Sequence, residues 1–367
     1  MLKRSVYCLV IIIVAVTDSC IDPVDLDIKS SARKIVVDGA MTNEEGPHTI
    51  RLMYSQNAGR KSTDQIPLVN AIVSIYQDDD LVQQLTEREP GIYYTDEDWR
   101  GTIGRTYTLK FSTPSGENYE SIPQALKHPG SQDSVYVRYH RDAILLNPEG
   151  TRRQDAIDVL IDARHAQGVP GPFRWKFTGM FHAATYPHLK VINTPAGSSP
   201  NPPECSGYIN YFGELVRVGE CTCCECWPVD FNNTISISEG QFTNQVYKDV
   251  LVTRVPATPL RFINRYYIEI EQFSLSEEVY TFWRLVKALQ EAPGNIFQPN
   301  AIKVRGNMRA INSDEEVAGI FSVSGVVRKT LFVDSSVFPQ QIDPEVVAEE
   351  CLAVFPSAVT EKPAFWN

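Results

Sequence analysis

The densest chemistry in this chain is Glu220-Cys221-Thr222-Cys223-Cys224-Glu225-Cys226-Trp227, with Cys205 upstream and Cys351 near the C-terminus. Thiolates at that density could hold a soft cation such as zinc or copper(I). A zinc-finger site, however, joins two Cys-x-x-Cys units, or a cysteine pair and a histidine pair. Here His182 and His188 stand well upstream of the run. Disulfides are therefore the leading expectation for Cys205, Cys221, Cys223, Cys224, Cys226 and Cys351, and no metal or cofactor is expected. Six cysteines allow fifteen pairings. A bond between the neighbours Cys223 and Cys224 is disfavoured, because adjacent Cα atoms lie about 3.8 Å apart and a disulfide wants about 5.5 Å. In an extended run Cys224 and Cys226 would face one side and Cys223 the other. The pairing favoured is Cys226 with Cys351. It would pin the C-terminal tail, and closing so long a loop is worth ~4 kcal/mol.

An oxidising compartment is implied by the N-terminus. Lys3 and Arg4 precede the apolar run Val6 to Val16, of about eleven residues. That length suits a signal h-region and is too short to cross ~30 Å of hydrocarbon, which takes roughly 20 residues. The following Thr17-Asp18-Ser19-Cys20 resembles the bacterial lipobox, although leucine is usual where Thr17 stands and Asp18 is atypical. The resemblance implies that residues 1–19 are a signal peptide and that Cys20 is lipidated to become the mature N-terminus. More than one acyl chain anchors a protein firmly to a membrane. Residues 20–32 are acidic and aperiodic, as expected of a solvated tether.

Little else in the chain suggests catalysis. Asp155, Asp158 and Asp162 lie near His165, but a period-two strand would scatter them over both faces. No Gly-x-Ser-x-Gly, His-Glu-x-x-His or phosphate-cradling loop is present, and His48, His128 and His140 are isolated. The expectation is a protein that is not an enzyme. A net charge of −11 argues against nucleic acid and anionic lipid surfaces as partners. Trp99, Tyr186, Tyr208 and Tyr211 are loop-placed aromatics that could form a binding platform, or simply be buried.

The elements that must carry these residues are mostly strands. Apolar residues make up 43% and charged residues 22%, ordinary values for a globular chain. Residues 33–125 read as an immunoglobulin-like or prealbumin-like β-sandwich, with alternating runs at 33–39, 48–54, 71–76 and 105–111. Pro123 to Gly130 reads as a linker. Residues 131–367 read as a larger antiparallel β-sandwich or barrel, with strands at 134–139, 156–162, 173–178, 234–237, 251–255, 266–271, 319–323 and 329–333. Val191 to Pro203 reads as a long loop. One amphipathic helix is expected over 276–291, capped by Ser274 or Ser276 and stopped at Pro293-Gly294, with an apolar stripe of Val279, Phe282, Trp283, Val286 and Leu289.

Taken in order, several of these segments resemble the Bacteroidota outer-membrane lipoprotein family known as domain of unknown function 4249. They are Cys20-Ile21-Asp22-Pro23, Ile35-Val36-Val37-Asp38-Gly39 and Ser274-Leu275-Ser276-Glu277-Glu278-Val279. Gly319-Ile320-Phe321-Ser322 and Lys362-Pro363-Ala364-Phe365-Trp366 complete the set. The family has no established activity. The resemblance implies an outer-membrane lipoprotein, lipid-anchored and facing the cell surface, working beside a TonB-dependent receptor in nutrient uptake. This chain departs from the family pattern at 205–226, where its cysteines are more numerous. The expected function is thus a non-catalytic accessory or substrate-binding partner of a TonB-dependent transporter. The alternatives are a surface adhesin or structural lipoprotein, and a thiolate metal-binding protein using Cys221, Cys223, Cys224 and Cys226. The ligand is not specified by any motif.

Overall fold

The computed structural model describes residues 33–55, 66–147, 149–195, 197–239, 246–291 and 304–366. The expected signal peptide, Cys20, the tether and the Pro293-Gly294 stop lie outside the described residues. Strands take up 49% of the chain and helices 11%, and no sheet closes into a barrel among the described residues. Of the two shapes expected for the larger β region, the sandwich is the one present.

Period-two burial builds both sandwiches. In Ile35–Thr42 the residues Ile35, Val37, Gly39 and Met41 turn inward, and those between them do not. One sheet runs Ala318–Ser324, Ile35–Thr42, Thr49–Tyr54, Ile92–Tyr94, Thr86–Glu89. Its partner runs Met308–Ala310, Asn118–Ser121, Thr106–Ser112, Ile72–Gln77, Asp80–Gln84. Val37, Ile50, Leu52, Val73, Leu109 and Phe321 fill the space between them. The second sandwich faces Ser131–Leu145, Arg153–Arg164 and Val246–Pro256 against Val229–Phe231, Phe173–Phe181, Tyr266–Ser274 and Val326–Val333. Its core holds Ile157, Val159, Trp175, Phe177, Ile268 and Ile270. The buried Trp175 indole donates to Gln272 Oε1 at 2.8 Å, so this polar pair is satisfied where water is excluded.

Strand membership does not follow chain order. Ala318–Ser324 pairs in parallel with Ile35–Thr42, and Met308–Ala310 pairs with Asn118–Ser121. The segment 308–324, expected in the second module, therefore completes both sheets of the first. Pro123 to Gly130 is not a free linker either: Leu126 is fully buried, Lys127 O accepts from Ser274 Oγ at 2.8 Å, and Pro129 O accepts from Gln272 Nε2 at 2.6 Å. The expected loop at 191–203 contains a hairpin, Val191–Thr194 with Gly197–Pro200.

One long run ties the modules together. Ala318–Ser324 lies in the first, Gly325 follows, and Val326–Val333 continues beside Tyr266–Ser274 in the second. Around this seam the buried Glu271 carboxylate meets Arg328 at 2.8 Å and Lys176 at 3.1 Å, and Arg328 reaches Glu44 at 2.7 Å. The helix Glu277–Glu291 begins with the Ser276 hydroxyl accepting from Val279 N at 3.2 Å. Its Val279, Phe282 and Trp283 pack against Ile320 and Phe273, covering the edge strand of the first module. The Arg174 guanidinium stacks 3.7 Å over Trp283, and burial lowers its pKa to about 10.

The registers place the two poles. Thr42 pairs with Ser324 beside the seam, so Ile35, where the chain enters the fold, lies at the end of the first module away from it. Phe173 pairs with Ser274 at the seam, and Phe181 pairs with Tyr266 at the opposite end of the second module. The run from 318 to 333 between these ends has a contour of about 50 Å.

Candidate functional site

At that far pole the chain leaves the sheet after Phe181 and returns at Val229. Ala183–Ala184 pairs with Glu225–Cys226 to form the neck of this excursion. Beyond the neck stand two hairpins, Val191–Thr194 with Gly197–Pro200 and Tyr208–Tyr211 with Glu214–Arg217. Every residue of Val191–Thr194 is exposed, and isolated two-stranded hairpins are marginal in water. Covalent bonds take the place of the missing core. Cys205 is bonded to Cys223, Cys221 to Cys224 and Cys226 to Cys351, with Cα separations of 5.6, 5.8 and 5.9 Å.

All six candidate cysteines are thus brought together at the neck, each bonded to another, and none presents a thiolate. The run is not extended throughout: it bends over 222–224, and the neighbours Cys223 and Cys224 reach different partners. Backbone bonds hold the bend in place. Thr222 N donates to Cys205 O at 2.8 Å, Cys351 N to Cys223 O at 2.9 Å, and Thr185 N to Cys224 O at 2.7 Å. Cys226 and Cys351 are fully buried, whereas the other four cysteines are partly exposed.

What the bonded framework displays is apolar. The second hairpin turns at Phe212-Gly213 with φ of 49° and 94°, the two positive values a type I′ turn requires. The Asn210 side chain accepts from Gly213 N at 2.8 Å and braces the turn. Phe212 is 90% exposed and Tyr211 60% exposed, and Ile209 and Val218 near them in sequence and Val191 on the first hairpin are exposed as well. Behind the tip, His188 stacks on Tyr208 at 4.6 Å and meets the Tyr186 ring edge-on at 6.2 Å. Three of the four expected platform aromatics therefore lie on one excursion. Trp99 does not join them: it packs against His48 and Tyr107 in the first sandwich. Phe212 joins the expected aromatics at the tip, and His188, weighed in the sequence only as a distant metal ligand, joins them as a stacking ring. The aromatic-Gly pair between two alternating runs was the available signal for Phe212.

The aspartates near His165 form no acid-base centre. Asp158 and Asp162, an even number of residues apart, share the outward face of Arg153–Arg164, and each is already engaged. Asp158 meets Arg254 at 2.6 Å and His140 at 3.1 Å. Asp162 accepts from Lys248 at 2.7 Å and from Asp249 N at 3.0 Å, which hold its carboxyl down at about 2. Burial, with Asp249 and Asp162 beside it, pushes Tyr136 up to about 12. Asp155 accepts from the Tyr139 hydroxyl and from Asp142 N. His165 turns the other way, onto Phe173 at 4.7 Å. Asp155, Asp158 and Asp162 are all held below the ordinary carboxylate value by these partners, away from the neutral range in which a general base works best. Inside the sandwich, Asp230 takes a bidentate contact from Arg261 at 2.8 and 3.0 Å and a hydrogen bond from Tyr266 at 2.8 Å. Tyr266 is fully buried, and Asp230 and Arg261 are partly buried. Among the described residues, no helix is long and apolar enough to cross a membrane.

Residues 21–330 match the protein family described as Domain of unknown function (DUF4249). Neither the curated proteins nor the solved structures contain a match to this chain.

Proposed function

The chain belongs to the DUF4249 family, and from that premise we propose that it is a non-catalytic, lipid-anchored outer-membrane protein that partners a TonB-dependent nutrient transporter. The observation that carries this reading is the apolar tip of Tyr211 and Phe212 on a disulfide-braced excursion, at the pole opposite the point where the tether would enter. Single exposed apolar residues are ordinary, but several held together on a rigid projection mark a contact surface. The lipobox-like Cys20 supports anchoring, and the engaged state of every candidate acid or base described above supports a binding role. A lipid anchor at Cys20 would raise the local concentration of such a surface near a membrane channel.

The test is co-purification from detergent-extracted membranes with the wild-type chain and with Tyr211→Ser/Phe212→Ser. A TonB-dependent receptor recovered near stoichiometrically with the wild type, and lost with the double variant, is the expected result. Recovery of the lipoprotein alone in both cases would sink the transporter reading. The distance between the tip and the tether pole favours a second reading, adhesion to a surface polymer, in that event. Binding of polysaccharide or matrix protein that disappears in the same variant would establish it.

A further inference from the structure

We propose that the Cys221–Cys224 disulfide is a thiol–disulfide exchange site for a dithiol, worked while Cys205–Cys223 and Cys226–Cys351 hold the excursion in place. The three bonds differ first in access. Cys226 and Cys351 are fully buried, so an attacking thiolate does not reach them in the folded chain. Cys205, Cys221, Cys223 and Cys224 are partly exposed. Access thus leaves two bonds at the neck, and charge separates them.

Glu350 shields one of the two. Its carboxylate oxygen and the sulfurs of Cys205 and Cys223 all lie within 4.8 Å of one another. The attacking species in exchange is an anion, and a carboxylate at that range repels it. Among the described residues, no carboxylate or imidazole stands within the same range of both Cys221 and Cys224 sulfurs.

The exchange runs in two steps. A thiolate of the dithiol attacks one sulfur of Cys221–Cys224, forms a mixed disulfide and expels the other cysteine, which takes a proton from solvent. The second thiol of the dithiol then loses its proton, displaces the remaining cysteine and closes the reagent's own disulfide. Two electrons pass to the protein pair, which ends as two thiols.

Opening this bond leaves its surroundings tied. Thr185 N donates to Cys224 O at 2.7 Å and Thr222 N to Cys205 O at 2.8 Å, and Cys205–Cys223 closes the base of the second hairpin. Cys221 and Cys224 stand three positions apart with their Cα atoms 5.8 Å apart, so the pair stays at bonding separation and recloses by the reverse exchange with a disulfide. Cys-x-x-Cys spacing is that of pairs that open and close in redox chemistry. The site does not depend on what the aromatic tip contacts.

The full chain in mild detergent is exposed at low salt to rising concentrations of dithiothreitol, trapped with a maleimide and mapped by fragment-resolved peptide mass spectrometry. Label is expected first at Cys221 and Cys224, next at Cys205 and Cys223, and at Cys226 and Cys351 only after a denaturant is added. Glu350→Gln removes no covalent link and should speed the opening of Cys205–Cys223 several-fold while leaving Cys221–Cys224 unchanged. Added salt should shrink that gain, as for any exposed charge effect. Protein opened at Cys221–Cys224 alone should restore that same pair with hydroxyethyl disulfide. First label at any other pair, simultaneous opening of all three bonds, reclosure into other pairings, or an unaltered rate in Glu350→Gln would overturn the proposal.

Discussion

Phe212 carries two penalties at once: a left-handed backbone, which costs a side-chain-bearing residue on the order of 1–2 kcal/mol, and an aromatic ring in water. A type I′ turn prefers Asn-Gly at these positions, so Phe212→Asn should raise stability by about 1 kcal/mol while removing the contact surface. Thermal unfolding and partner recovery, measured on one preparation, check both halves. A lowered Tm would mean that the ring is packed and that the tip is not a displayed surface. Asp162 gives a prediction with the opposite emphasis. Its folded pKa lies below the ordinary carboxylate value, so its contribution is present above about pH 4 and is lost as pH falls toward about 2. Urea unfolding should show Asp162→Asn weakened relative to wild type at pH 6, and the gap should narrow steadily as pH falls from about 4 toward about 2. Tyr211 could be singled out from sequence because it lies in a polar loop. For Phe212 the local signal is weaker, an aromatic-Gly pair between two alternating runs, and that pattern marks a turn without telling a displayed ring from a packed one.

Elements were legible where the pattern is local. Alternation marked Ile35–Thr42, Arg153–Arg164 and Tyr266–Ser274, and the apolar stripe after Ser276 marked the helix. Partner choice was not legible. Ala318–Ser324 reads as a strand from its apolar run, but its parallel seat beside Ile35–Thr42 is set by the space left in the first sandwich by distant residues. Gly325 shows how tightly that seat is fixed. A Cβ there would lie 2.2 Å from Lys127 O, while Gly325 N donates to Ser274 Oγ at 2.9 Å. Gly325→Ala should destabilise the protein by about 1–3 kcal/mol through overpacking against the backbone, measured by guanidinium unfolding, whereas Gly104→Ala meets nothing within 4 Å and isolates the effect of backbone conformation alone. The disulfides differ in the same sense. Cys226→Ala/Cys351→Ala opens a closure spanning 125 positions and should lose about 4 kcal/mol, whereas Cys221→Ala/Cys224→Ala opens one spanning 3 and should lose distinctly less. Equal losses would show that both bonds act through local packing rather than through the unfolded chain.

At the scale of the molecule, the same pairings that spoil a simple division by sequence produce a polar object. Because Gly325 joins two strands through a seam closed by Glu271, Arg328 and Glu44, the modules are braced rather than hinged. The entry pole at Ile35 and the excursion therefore keep opposite ends of the long axis. If Cys20 is lipidated, the anchor precedes Ile35 by few residues in the chain, and the entry pole is expected to make the nearest approach to the membrane. A fluorophore introduced at Lys34 and another at Phe212, in separate preparations reconstituted into vesicles carrying a headgroup acceptor dye, read this directly. The contour of about 50 Å between the poles is long enough to separate efficient from weak transfer. Strong transfer from position 34 and weak transfer from 212 would place the tip outward, where it meets solutes, polymers or the outer rim of a receptor. Strong transfer from 212 would put the aromatic tip at the lipid surface, and the contact it makes would then be with the bilayer rather than with a protein.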